Sequence, residues 1–166
     1  MTDARSIHPV QQLLRRRETN PSVGIYSVCS ANPHVVRASF QYAVKTESLL
    51  LIEATCNQVN QFGGYTGWKP EEFVEELKEL AAQAGYSRDH LILGGDHLGP
   101  APWQDQPSEL AMQWAKELVA RFVQAGFSKI HLDASMPCAD DPIPLPDELI
   151  ARRAAELCQV AESAAI

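Results

Sequence analysis

The chain has 166 residues, of which 45% are hydrophobic and 21% charged, and it carries a net charge of −7. These proportions are those of an ordinary globular protein and exclude wholesale disorder. The acid excess argues against a nucleic-acid partner. No apolar run approaches the ~20 residues of a membrane span, so no membrane partner is expected.

In chain order, residues 1–22 read as a helical lead-in and residues 23–166 as the first half of a barrel. The opening "MTDARSIHPVQQLLRRR" has no continuous apolar stretch before a small-residue cleavage site, so it is not read as a signal peptide. Arg15, Arg16 and Arg17 follow Leu13 and Leu14, the pattern of a short surface helix with a basic end. His8 falls in the same segment and looks structural. Cys29, Cys56, Cys138 and Cys158 show no C-x-x-C spacing, which predicts reduced thiols in a cytoplasmic protein.

From Val23 onward one pattern recurs. The apolar runs "VGIYSVCS" from Val23, "LLLIEATC" from Leu49, "HLILGGDH" from His90 and "KIHLDAS" from Lys129 are each short and nearly continuous. Such runs suit parallel strands covered on both faces. Between them lie helical segments. "HVVRASFQYAVKTE" is the first. "KPEEFVEELKELAAQAG" has Pro70 and acids at its start, Gly85 at its stop, and a stripe of Phe73, Leu77, Leu80, Ala81 and Ala84. "SELAMQWAKELVARFVQAG" is expected to be capped by Ser108 and stopped by Gly126, with Leu110, Trp114, Leu118 and Phe122 on one face. A last helix begins near Pro146 and Asp147 and is expected to run to the end of the chain.

Repeated strand–helix units make a parallel α/β fold with right-handed crossovers. An open doubly wound sheet and part of a (β/α)8 TIM barrel both satisfy the pattern. The first loop lacks G-x-G-x-x-G, which disfavours a nucleotide cofactor. Polar residues gather at all four strand ends, the habit of a barrel's active face. A complete barrel needs ~250 residues, so this chain has room for about the first four βα units. Alone it is expected to be inactive, because the remaining strands would complete the site.

Several strand-end residues could do chemistry. Glu53 interrupts an apolar strand, and a buried carboxylate must pair with a cation or hold a proton. It is a candidate acid/base, and a structural ion pair is the competing reading. Alternation puts His131, Asp133 and Ser135 on the face opposite Ile130, Leu132 and Ala134. Asp133 is a candidate site carboxylate or a local loop cap, and Ser135 a candidate ligand contact. Asn57 and Gln58 open an amide- and glycine-rich loop, "NQVNQFGGYTG", that suits a polyhydroxylated ligand such as a sugar phosphate or sugar acid. That loop lacks the P-loop order. At "GGDHLGP", Asp96 is a candidate acid/base and His97 a candidate ligand of a divalent metal, zinc or similar. One imidazole cannot hold a metal, and His131 on the next strand is the other one available. Trp68 and Trp103 could stack on a sugar or pack over the barrel mouth. His34 is read at a helix start.

Taken together, "GIYSVCSANPHVV", "LIEATCNQVNQFGGYTG", "LILGGDHLGP" and "GFSKIHLDASMPCADDPIPL" resemble the Z-type, non-catalytic subunit family of class II D-tagatose-1,6-bisphosphate aldolase. The resemblance implies a (β/α)8 barrel longer than this chain. It implies a role in galactitol- or N-acetylgalactosamine-type sugar-phosphate metabolism, stabilising and activating a zinc-dependent catalytic aldolase subunit as partner. Some members carry a sugar-phosphate kinase label. Related metal-dependent sugar-phosphate or uronate epimerases and aldolases imply an alternative in which Asp96 and His97 act directly. The catalytic class II aldolases have a strand ending His-x-Asp-His and another ending Asp-Gly-Ser-His. Here Asp96 and His97 match the first, but Gly94 stands in the place of its leading His. Asp133 and Ser135 match the second, but Met136 stands in the place of its His.

Overall fold

Residues 8–165 are described by a computed structural model. The first seven residues of the lead-in, and Ile166, lie outside them. Four strands, β1 (Ser27–Cys29), β2 (Leu50–Thr55), β3 (Leu91–Leu98) and β4 (Lys129–Leu132), form one parallel sheet in the order β1-β2-β3-β4. Before them comes α1 (Pro9–Thr19), and between and after them α2 (Pro33–Thr46), α3 (Pro70–Ala84), α4 (Ser108–Gln124) and α5 (Asp147–Ala164).

The strand order decides between the two architectures left open by the sequence. It never reverses, so the sheet has no switch point of the doubly wound kind. Each helix from α2 onward packs on the next one, which puts them in a single layer on one side of the sheet. A sheet wound in one direction with all helices on one side is part of a (β/α)8 barrel.

The helices form where the sequence places them, with terminal details that differ. Asn32 caps α2 by accepting from the backbone N–H groups of His34 and Val35. Gly85 ends α3 in the left-handed conformation. The expected stripe of α3 is buried at Phe73, Leu77, Leu80 and Ala81. Ser108, expected to cap α4, is instead its first residue. The carboxylate of Asp140, from the loop after β4, accepts the Ser108 N–H at 2.7 Å. The core face of α4 is Ala111, Met112, Ala115, Leu118, Val119 and Phe122, so the four-residue stripe holds only at its last two members. The final helix runs from Asp147 to Ala164.

β1 is also shorter than the run from Val23 suggests, with only three residues. Among the described residues it pairs only with β2, through Ser27–Cys29. The main core lies between sheet and helices, where Leu50, Ile52, Ala54 and Leu98 meet Val36, Phe40, Phe73, Leu77, Leu118 and Phe122. At ~25 cal/mol per Å2 of apolar surface, this layer is the dominant stabilising contribution. None of the described helices is long and apolar enough to cross a membrane.

Candidate functional site

Parallel register aligns one row across the whole sheet: Cys29, Glu53, Gly94 and Lys129. These residues share the face turned away from the helices, the inner face of the barrel. Glu53 is 4% exposed and is held by the Ser27 hydroxyl, which donates to it, and by the Lys129 ammonium. Glu53 reaches β4 by crossing β3 at a glycine. A Cβ at Gly94 would stand 2.6 Å from Cγ of Glu53 and 2.7 Å from its Oε1. Glycine at 94 is therefore the condition for the Glu53–Lys129 ion pair. Lys129, which sequence reasoning did not single out, is the cation that the buried Glu53 required.

One layer higher, the strand ends converge. Gly95 pairs with Ile130 and Leu98 with Leu132, so Asp96 and His97 on β3 together face His131 alone on β4. Two residues against one make a β-bulge, and His97 adopts φ +51°, the left-handed conformation such bulges use. On a regular strand Asp96 and His97 would point to opposite faces. The bulge turns both toward His131. Cys56 Sγ donates to the His97 carbonyl at 3.0 Å, which holds the bulge from the neighbouring strand end.

The Asp96 carboxylate is the hub of this layer. Its Oδ1 lies 2.8 Å from His131 Nδ1 and its Oδ2 3.1 Å from His97 Nδ1. Cys29 Sγ donates to Oδ2 at 3.3 Å, and Lys129 Nζ stands 4.0 Å from Oδ1. Partial burial pushes the Asp96 pKa up, but the hydrogen bonds from His131, Cys29 and His97 outweigh it and bring the carboxyl down to about 2. The same surroundings act in the opposite sense on Cys29. Burial first, then the bond and charge of Asp96 and the charge of Glu53, push its thiol up to about 12. Cys29 therefore stays a neutral donor, unlike a reactive thiolate.

The two imidazoles have their ring centroids 4.4 Å apart and are about half exposed, with side-chain accessibilities of 55% for His97 and 45% for His131. Ligand atoms of Asp96, His97 and His131 all lie within 4.8 Å of one another, a spacing that fits a metal ion.

Other candidates sit less directly on this cluster. Asp133 Oδ1 accepts from the backbone N–H and the hydroxyl of Ser135 at 2.9 and 2.6 Å, the local loop cap. Burial raises its carboxyl, and the Ser135 bonds with the charges of His97 and His131 lower it further than burial raises it. Gln58 turns its amide oxygen onto the Thr55 N–H at 2.9 Å. Asn57 is exposed, and its carbonyl accepts from Tyr65. Asn60, not Asn57, ties the loop together, bonding Cys56, Phe62 and Gly64. Trp68 packs on Phe73, and Trp103 on Phe62 and Trp114. His34 lies in the first turn of α2, and His8 caps α1.

Arg153 went unnoticed in the sequence. It lies 5% exposed on α5 and makes two 2.7 Å bonds to Asp141. Asp141 also accepts the Cys138 N–H, so the pair clamps the loop after β4 that carries Asp133 and Ser135.

Compared with known proteins, residues 10–166 match the family described as D-tagatose-1,6-bisphosphate aldolase subunit GatZ/KbaZ-like. The D-tagatose-1,6-bisphosphate aldolase subunit GatZ of Salmonella dublin is 51% identical over 156 residues, 94% of this chain and 37% of its own. The subunit of the same name from Klebsiella pneumoniae is 50% identical over the same share of each chain. A crystal structure described as "a probable tagatose 6 phosphate kinase" from Sinorhizobium meliloti 1021 is similar with a TM-score of 0.82 at 49% identity, over 85% of this chain and 36% of that one. The chain thus spans a little over a third of the length of the curated relatives it matches.

Proposed function

The chain belongs to the GatZ/KbaZ-like family of D-tagatose-1,6-bisphosphate aldolase subunits, and from that premise we propose that the complete protein is an accessory subunit of a class II tagatose-bisphosphate aldolase. In this reading it acts in the cytoplasm, binds the catalytic aldolase subunit, and stabilises and activates it for sugar-phosphate cleavage. The observation that carries the reading is at Gly94. In the catalytic aldolases resembled by this sequence, a histidine stands at that position of the strand. Here the Glu53 side chain, paired with Lys129, fills the space that a side chain at 94 would enter. In this reading the barrel is kept and the end of β3 has lost one histidine of the aldolase pattern.

The test uses the complete protein and the catalytic aldolase subunit at micromolar concentration. Mixing them is expected to give a single complex on size-exclusion chromatography, a higher melting temperature for the catalytic subunit, and faster tagatose 1,6-bisphosphate cleavage. Separate elution with no change in melting temperature or rate would overturn the proposal.

A further inference from the structure

We propose that two copies of this 166-residue chain assemble end to end into one eight-stranded barrel, each copy covering the open edges of the other. The inference is independent of the subunit reading, and its test uses the chain without the aldolase subunit.

Among the described residues β1 pairs with β2 alone and β4 with β3 alone, so the sheet has a free edge at each end. The unpaired N–H and C=O groups of such an edge are a template for another strand. The sheet holds four strands in unreversed order, with its helices in one layer. A closed barrel of this kind has eight. Setting β4 of one copy beside β1 of the other, twice over, supplies them. The contact then closes on a two-fold axis instead of growing into a filament.

The helix flanks beside the two edges are complementary in size. In α2 the core side is Val36, Phe40 and Ala43. Val35, Ala38, Ser39 and Tyr42 lie on another side, where with Tyr26 they line a shallow apolar groove. Tyr26 immediately precedes edge strand β1 and meets Tyr42 edge to face at 6.3 Å, so this groove lies at the β1 end of the helix layer. Tyr26, Val35 and Tyr42 are all exposed. In α5, Leu157 enters the core and Glu156 pairs with Lys116 of α4. At 3.6 residues per turn, the flank turned away from α4 carries Ala151, Ala154, Cys158 and Ala161. Large side chains at one end of the layer thus meet small ones at the other when two copies join. Charge agrees in sign. Helix α2 has Arg37 and Lys45 and no acid, whereas α5 has four acids against two arginines. A second copy therefore offers each end what it lacks: a strand for the edge, a fitting flank for the helix, and the opposite charge.

The experiment measures the mass of this chain by size-exclusion chromatography with light scattering at micromolar concentration, with circular dichroism as the check of fold. A folded dimer is expected. Tyr42→Glu at one end and Cys158→Arg at the other should each weaken dimerisation at least about tenfold. Glu79→Gln, on the exposed side of α3, should leave it unchanged. A cross-link covers the case in which a charged variant does not fold. Tyr42→Cys should form a disulfide between copies with copper–phenanthroline as oxidant, and Cys158→Ser should abolish it. A monomer, an unfolded chain, a dimer indifferent to both charged variants, or a cross-link that survives Cys158→Ser would overturn the proposal. Recovery of the chain only in complex with the catalytic aldolase subunit, and not after Tyr42→Glu, would overturn it too, by giving the α2 flank to that partner while leaving the subunit reading in place.

Discussion

The two faces of one four-stranded sheet are built on different rules. Toward the helices, Leu50, Ile52, Ala54 and Leu98 are fully buried in an apolar layer. On the inner face, Glu53, Lys129, Asp96 and His131 form a continuous polar chain from Ser27 to His97. The first face is non-directional and stabilises the sheet in proportion to area. The second depends on pairing, since a buried carboxylate without its cation is costly. The fold thus rests on one face, while the other is free to carry donors and charge.

That contrast can be broken at its strongest point by Phe122→Ala. Phe122 is fully buried against Phe127, with ring centroids at 4.4 Å, and a cavity there should cost about 3–5 kcal/mol in urea unfolding. A comparable loss is expected from the buried ionic contact between α5 and the loop before it. Asp141→Asn would leave the Arg153 guanidinium buried without its carboxylate, at a cost of about 3 kcal/mol. Asp141 also sets a pH signature. Hydrogen bonds from Arg153, against a smaller effect of burial, hold its carboxyl below the ordinary value of about 4. A depressed folded value means that its contribution is complete above about pH 4 and is lost as pH falls through the folded value. The melting temperature of the wild type should therefore fall more steeply in acid than that of Asp141→Asn. Parallel acid profiles would show that the clamp contributes little.

Adjacent glycines give a sharper test, because they point to opposite faces. A Cβ at Gly95 would meet Leu98 Cδ1 at 2.6 Å and the Phe122 ring at 3.0 Å, within close-packed core. The three atoms nearest a Cβ at Gly94 all belong to the Glu53 side chain. Each alanine substitution should cost about 1–3 kcal/mol by overpacking. The two differ in rescue. Glu53→Ala should remove most of the further cost of Gly94→Ala and none of that of Gly95→Ala, a coupling read directly from a double-mutant cycle in chemical denaturation. Additive costs at Gly94 would mean that the ion pair does not cross β3 there.

The same division explains what the sequence made legible. Strands, helices and their glycine stops follow from local periodicity, and Glu53 could be read as needing a cation because it interrupts an apolar run. Its partner could not be named, since Lys129 meets it only through the register of three strands. Nor could the bulge be read, and without it Asp96 and His97 belong to opposite faces. Asp140 capping α4 joins residues 32 apart, and Asp141 clamping Arg153 joins a loop to the next helix across 12 residues that local periodicity does not pair. A faint signal did exist for Arg153, a charge at a helix position flanked one turn on by the buried Leu157.

The smallest expected effect is on His131, and it tests whether the strand-end cluster belongs to the fold at all. His131→Gln removes the 2.8 Å bond to Asp96 Oδ1. Asp96 keeps Cys29 and His97 as partners, with the Lys129 ammonium 4.0 Å away. The side chain removed is 45% exposed, so water can take its place on the freed oxygen. The change in unfolding free energy should stay within about 0.5 kcal/mol, the ordinary range for a surface substitution. A loss as large as that of Gly95→Ala would make His131 part of the scaffold and erase the difference between the two faces at the strand ends. A near-neutral result would place the Asp96–His97–His131 cluster outside the energetics of folding, where a group kept for binding belongs.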